Sequence, residues 1–119
     1  MVKSWGLGAV LLLGGFGAGL AVAQVQTGRT PQFANEEVKV WRSVIAVGNP
    51  LPLHRHDHPL VVVALKGGTM DIRDESGHSD IQNWETGKAY WLNPKTLHQE
   101  VNIGKEPIEV IAVELQKAW

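Results

Sequence analysis

Beyond residue 35, every apolar segment of this chain is short, rich in β-branched residues and closed by a turn signal. That pattern leaves an all-β sandwich or a single antiparallel β-barrel as the fold class. The expected strands are Val38 to Val47, Leu60 to Lys66, Thr69 to Asp74, Asp80 to Trp84, Lys88 to Leu92, Leu97 to Ile103 and Ile108 to Gln116. Their separators carry turn chemistry: Gly48-Asn49-Pro50, Gly67-Gly68, Asp74-Glu75-Ser76-Gly77, Glu85-Thr86-Gly87, Asn93-Pro94-Lys95 and Gly104-Lys105-Glu106-Pro107. Connections this short predict meander-like hairpins. In the last strand Ile108, Val110, Ala112 and Glu114 share one face, and Glu109, Ile111, Val113 and Leu115 the other. Both faces are partly apolar, which suits a strand in a two-layer barrel. With 119 residues, 44% apolar and 19% charged, one small domain is the ceiling and a disordered chain is excluded.

The N-terminus reads as an address. Lys3 precedes an uncharged Leu- and Gly-rich run from Trp5 to Leu20, and Ala21-Val22-Ala23 is a small-x-small site before Gln24. A secretory signal cleaved after Ala23 is expected. The competing reading is a retained anchor, because Trp5 to Ala23 gives 19 uncharged residues, near the shortest bilayer span. Glycines weaken a helix there and no basic stop-transfer cluster follows, which favours cleavage. Residues 1–23 are thus a signal segment, 24–35 a polar leader without periodicity, and 36–119 the β domain. The mature protein is expected in the periplasm or outside the cell, free of the membrane.

The absence of cysteine rules out disulfides, Cys-ligated zinc and thiol catalysis. Lys plus Arg number 11 against 12 Asp plus Glu, with no basic patch, so a nucleic-acid partner is not expected. Metal or catalytic chemistry falls to histidines, carboxylates or a hydroxyl. Three of the five histidines, His54, His56 and His58, stand at i, i+2, i+4 spacing. In an extended segment they share one face, with neighbouring Cα atoms roughly 6.6 Å apart. Two such rings can lean onto one ion at about 2.1 Å from each nitrogen, whereas three in a line do not converge easily. The natural site is His54-x-His56 plus a donor from a distant strand, and His98 is the obvious candidate. His58 joins if the chain bends after His56, which Pro59 favours. A solvated histidine run that scavenges metal is the bland alternative. His78, in a loop, reads as solvated.

At these residues the chain resembles the cupin superfamily over about Gly48 to Asn102. Gly48, five residues, His54-Arg55-His56, three residues, Leu60, six residues and Gly67 repeat the spacing of the first cupin motif, with Leu60 where the family has a metal-binding Glu. Gly87, five residues, Asn93-Pro94-Lys95, two residues, His98, three residues and Asn102 repeat that of the second, with Asn93 and Lys95 replacing its Pro and Gly. The resemblance implies a jelly-roll barrel whose open end binds a divalent metal through His54, His56 and His98. Some cupins, the thiol dioxygenases among them, work with three histidines and no Glu. It also implies a homodimer formed through sheets, for which the apolar strand from Ile108 to Leu115 is an available edge.

Three neutral imidazoles leave the full +2 on an ion, so such a site draws an anionic or chelating small molecule. Imidazole suits iron, manganese, nickel, copper and zinc alike. The expected function is a secreted metallo-cupin, in enzyme form an oxygenase, decarboxylase or isomerase of a small acid. The alternatives are a non-catalytic periplasmic cupin that captures a ligand or metal, and a degenerate barrel without metal. Glu100 shares a strand face with His98 and reads first as a solvated carboxylate at the barrel rim. Arg55 and Lys95 lie near the histidines and are candidates for holding a carboxylate, with surface ion pairing as their default. Trp41, Trp84, Tyr90 and Trp91 read as core or cross-strand residues before pocket lining.

Overall fold

The computed structural model describes residues 25–94 and 97–117, and no helix occurs among them. The signal reading at residues 1–23 lies outside the described residues, as does Lys95. Eight strands follow in order: β1 (Gly28–Ala34), β2 (Val38–Ile45), β3 (Leu60–Lys66), β4 (Gly68–Asp74), β5 (Ser79–Trp84), β6 (Ala89–Leu92), β7 (His98–Asn102) and β8 (Ile108–Leu115). The seven strands read from apolar patterning appear within two residues of their expected ends. Period-two alternation is the reason: in β8 the side chains of Ile108, Val110, Ala112 and Glu114 are buried and those between them are half-buried.

The strands form two antiparallel sheets, one ordered β1-β2-β8-β3-β6 and the other β5-β4-β7. This corrects the meander. Only β1 with β2 and β4 with β5 pair as sequence neighbours: β8 lies between β2 and β3 in the larger sheet, and the remaining successive strands switch sheets to close the two layers over a shared core. It also corrects the edge assigned to Ile108–Leu115, since β8 is paired on both sides, with β2 and with β3. The edges of the larger sheet are β1 and β6.

The first strand is the element that patterning did not find. Gly28–Ala34 is exposed along nearly its whole length, so it carries no apolar alternation. Its backbone pairs with β2 from Gly28 opposite Val44 to Ala34 opposite Lys39, with a bulge between Pro31 and Phe33. Proline is tolerated there because β1 is an edge strand.

Between the sheets lie Ile45, Leu60, Val62, Met70, Trp84, Ile108, Val110 and Ala112. Full burial of a side chain such as Leu60 or Ile108 contributes about 1.5–3 kcal/mol. Trp84 is part of this core and stacks on Tyr90 at 5.2 Å, so these two aromatics are structural. Asn102, also buried, clamps the end of β7: its amide donates to the Ile45 and Glu106 carbonyls, and its side-chain oxygen accepts from the Gly104 N–H. The spacing that the second motif ends on is therefore a packing requirement.

Candidate metal centre

His54 and His98 come from segments more than 40 residues apart in sequence and face each other as an isolated antiparallel pair. Each backbone N–H donates to the other's carbonyl at 2.9 Å. Opposed residues of such a pair send their side chains to the same side, and the two rings lie 4.5 Å apart between centroids. Gln99 reinforces the register by donating from its amide to the Leu51 carbonyl at 3.0 Å. His56, two residues beyond His54, brings its ring to 5.0 Å from His54 and 5.6 Å from His98. The donor nitrogens of the three histidines all lie within 4.8 Å of one another. Nitrogens bound at about 2.1 Å to one ion stand roughly 3–4 Å apart. A small rotation of the rings thus closes the set on an ion, and the donor chemistry fits a divalent transition metal.

His58 is elsewhere. The chain bends at Asp57 and His58, as Pro59 favours, but the bend turns the ring to Glu114, 3.8 Å from its Nδ1, and not into the cluster. His78 is exposed in its loop.

Glu100 corrects the rim reading. It is 7% exposed, and its two oxygens each face one ε nitrogen: Oε2 lies 3.1 Å from His98 and Oε1 3.6 Å from His54. Burial alone pushes its pKa up. The hydrogen bond from His98 and the charges of His98, His54 and Arg29 outweigh that and hold it below the ordinary carboxylate range. A carboxylate is therefore present at the cluster, although Leu60 removes it from the first motif. Leu60 and Glu100 line the same small interior cavity beneath His54 and His56. The carboxylate has in effect moved from β3 to β7. The sequence signal was the i, i+2 alternation of His98, Glu100 and Asn102.

Burial lowers the pKa of the two leading histidines. Burial is the main cause that lowers the pKa of His54, opposed by its hydrogen bond to the Pro52 carbonyl and by Glu100. That bond, 2.8 Å from Nδ1, makes Nδ1 the donor and leaves Nε2 as the lone pair facing the cluster. His56 is pushed down to about 4, first by burial and then by the charges of His54, Arg29 and His98. The unfolded chain therefore takes up this proton well before the native state does, and stability rises with pH across that window. Chelator-treated protein should lose on the order of 5 °C in Tm as the pH falls from 6.5 to 4. His56→Phe should flatten that slope in the same melts, and an unchanged slope would show that His56 does not titrate in the window.

The interior cavity under the centre measures about 30 Å³, room for one or two waters. Larger spaces lie outside it. One groove of about 300 Å³ opens on His98 and Glu100, flanked by Trp91, which is 56% exposed. A second, of about 590 Å³, opens on His56 and Trp41. Trp41 and Trp91 are thus groove residues, unlike Trp84 and Tyr90. Of the cations near the histidines in sequence, Arg55 lines this second groove. Arg29 of β1 lines it too, a residue that sequence reasoning missed because its strand carries no pattern.

No protein-family model matches the chain, and no curated protein matches it by sequence. Solved structures do. A cupin domain from Bordetella pertussis Tohama I, 24% identical, superposes with a TM-score of 0.70 over 82% of this chain and 100% of that one. An RmlC-like cupin family protein with a double-stranded β-helix fold from Methanocaldococcus jannaschii, 17% identical, gives 0.63 over 81% and 85%. A polyketide cyclase from Streptomyces resistomycificus, 14% identical, gives 0.58 over 76% and 66%. With its two antiparallel sheets closed over one core and its histidines gathered at one end, the chain has the cupin fold.

Proposed function

We propose that the protein is a mononuclear divalent-metal cupin that binds a small organic anion at its metal. The observation that carries this reading is the convergence of His54, His56 and His98 beside the buried Glu100. The three imidazoles supply neutral donors, and Glu100, set against two of their ε nitrogens, supplies the carboxylate donor. A bound ion provides a Lewis acid with positions open to a ligand. The interior cavity is too small for an organic molecule, so the ligand approaches from the grooves outside. Oxygenation, decarboxylation or isomerisation of a small acid is the chemistry such a centre serves. Capture of the ligand without turnover uses the same residues. The signal reading at residues 1–23 assigns this work to the periplasm or the cell exterior.

Elemental analysis tests the reading. The tag-free chain, residues 24–119, dialysed without chelator, should carry about one equivalent of iron, manganese, nickel, copper or zinc. His54→Ala/His98→Ala should carry less than about a tenth of that. A wild-type protein that is empty and also refuses added metal would leave a barrel that binds its partner by shape alone.

A further inference from the structure

Trp41 connects the first strand to one wall of the centre. The guanidinium carbon of Arg29 lies 5.0 Å from the centroid of the Trp41 ring, and Trp41 is stacked on the His56 imidazole at 5.7 Å and 23°. The register of β1 on β2 puts it there. Arg29 stands opposite Ser43, and Trp41 is two residues from Ser43 on the same strand face. Arg29, Trp41 and His56 line both the interior cavity under the histidines and the outer groove of about 590 Å³. They are the junction between the ion site and a space of the size that takes a small organic ligand.

Three cations, Arg29, Lys39 and Arg55, line the groove against two carboxylates, Asp57 and Glu114. Among the described residues no salt bridge joins Arg29 to a carboxylate. Its charge still reaches His54, His56 and Glu100, lowering the pKa of each. An ion with three imidazoles and one carboxylate keeps a net positive charge, and a guanidinium beside it adds another. Two like charges that face one groove are better satisfied with an anion between them. The groove beyond is amphipathic, with Phe33 58% exposed in it beside Val40 and Trp41.

We propose, building on the metal-centre reading, that Arg29 is the anion anchor of the ligand site. The ligand is an amphipathic organic acid of about one ring: Arg29 holds its carboxylate at the mouth of the metal centre, and its apolar body lies along Trp41 and Phe33. Arg29 suits this role because its planar fork grips a carboxylate with two parallel hydrogen bonds.

The test is calorimetric titration of the metal-loaded, tag-free chain with 3-phenyllactate and with its neutral amide, alongside metal analysis of each variant. Wild type should bind the acid and scarcely bind the amide. Arg29→Gln should weaken the acid at least tenfold, leave the amide unchanged and keep its full equivalent of metal. Arg29→Lys should recover part of the loss. Unaltered affinity in Arg29→Gln, loss of metal from it, or no binding of phenyllactate by the loaded wild type would each overturn the proposal. If wild type holds no metal, the metal-centre reading fails on its own. The same titration on metal-free protein then decides the anchor: a tenfold dependence on Arg29 keeps it, and no dependence removes it.

Discussion

Leu60→Glu, made alone, is expected to destabilise the protein by about 3 kcal/mol or more, whereas Leu60→Glu combined with Glu100→Leu is expected to regain most of that loss. Leu60 is 2% exposed and lines the same cavity of about 30 Å³ as Glu100. A second carboxylate there meets a first that is already buried and held below the ordinary carboxylate range, and the two repel at short range. Either one acid stays protonated, with its pKa driven up, or the cavity opens to water, and both cost stability. The paired exchange restores one carboxylate and one apolar side chain to the same space and returns the acid to β3. Metal content should follow stability: lowered in Leu60→Glu, recovered in the exchange, and reduced about tenfold in Glu100→Leu alone. Urea unfolding and elemental analysis on the four proteins read both quantities. A harmless Leu60→Glu would mean that the two side chains do not compete for one space.

The same pair shows how far the sequence could be read. Strands β2 to β8 were legible because turn residues bound each one and several, β2, β3 and β8 above all, alternate an apolar face toward the core, and two His-containing segments stood at a spacing that a metal site requires. What an alternation cannot convey is depth. Glu100 shares a face with His98 in any extended reading, but its burial depends on how the His54 segment folds over β7, a contact between residues far apart in sequence. The direction of the His58 ring was not legible for the complementary reason. Pro59 signals a bend but not its direction, and here the bend delivers the ring to Glu114 on the neighbouring face. The sheet order was hidden because short connections suit a meander and a sheet-switching corner equally well. Arg29 was hidden because β1 is held by backbone pairing at an edge and pays no attention to side-chain patterning. Its role at the site follows from register alone.

Gly67→Ala should prevent folding to the native state or cost more than about 4 kcal/mol, the largest single effect expected in the fold. Gly67 is the one residue between β3 and β4, where the chain leaves the five-stranded sheet for the three-stranded one. A Cβ built there would lie 2.0 Å from the Trp84 carbonyl oxygen and 2.8 Å from both the Trp84 carbonyl carbon and the Thr86 nitrogen. All three are backbone atoms, so no side-chain rotation relieves the clash. The Gly67 N–H also donates to the Thr86 hydroxyl at 2.9 Å, tying the corner to the turn after β5. Moving that corner moves Trp84, which is packed in the core, paired with Gly68 and part of the cavity wall under the histidines. Metal content should therefore fall with stability in whatever protein can be recovered. Gly77→Ala is the control. Its φ of +86° is unfavourable for alanine, but a Cβ there meets nothing within 4 Å, so only the backbone cost of about 1 kcal/mol applies. Far-UV circular dichroism and urea unfolding separate the two. A Gly67→Ala protein that melts like Gly77→Ala would show that the corner relaxes and that the cupin spacing between Gly48 and Gly67 is not set by this contact.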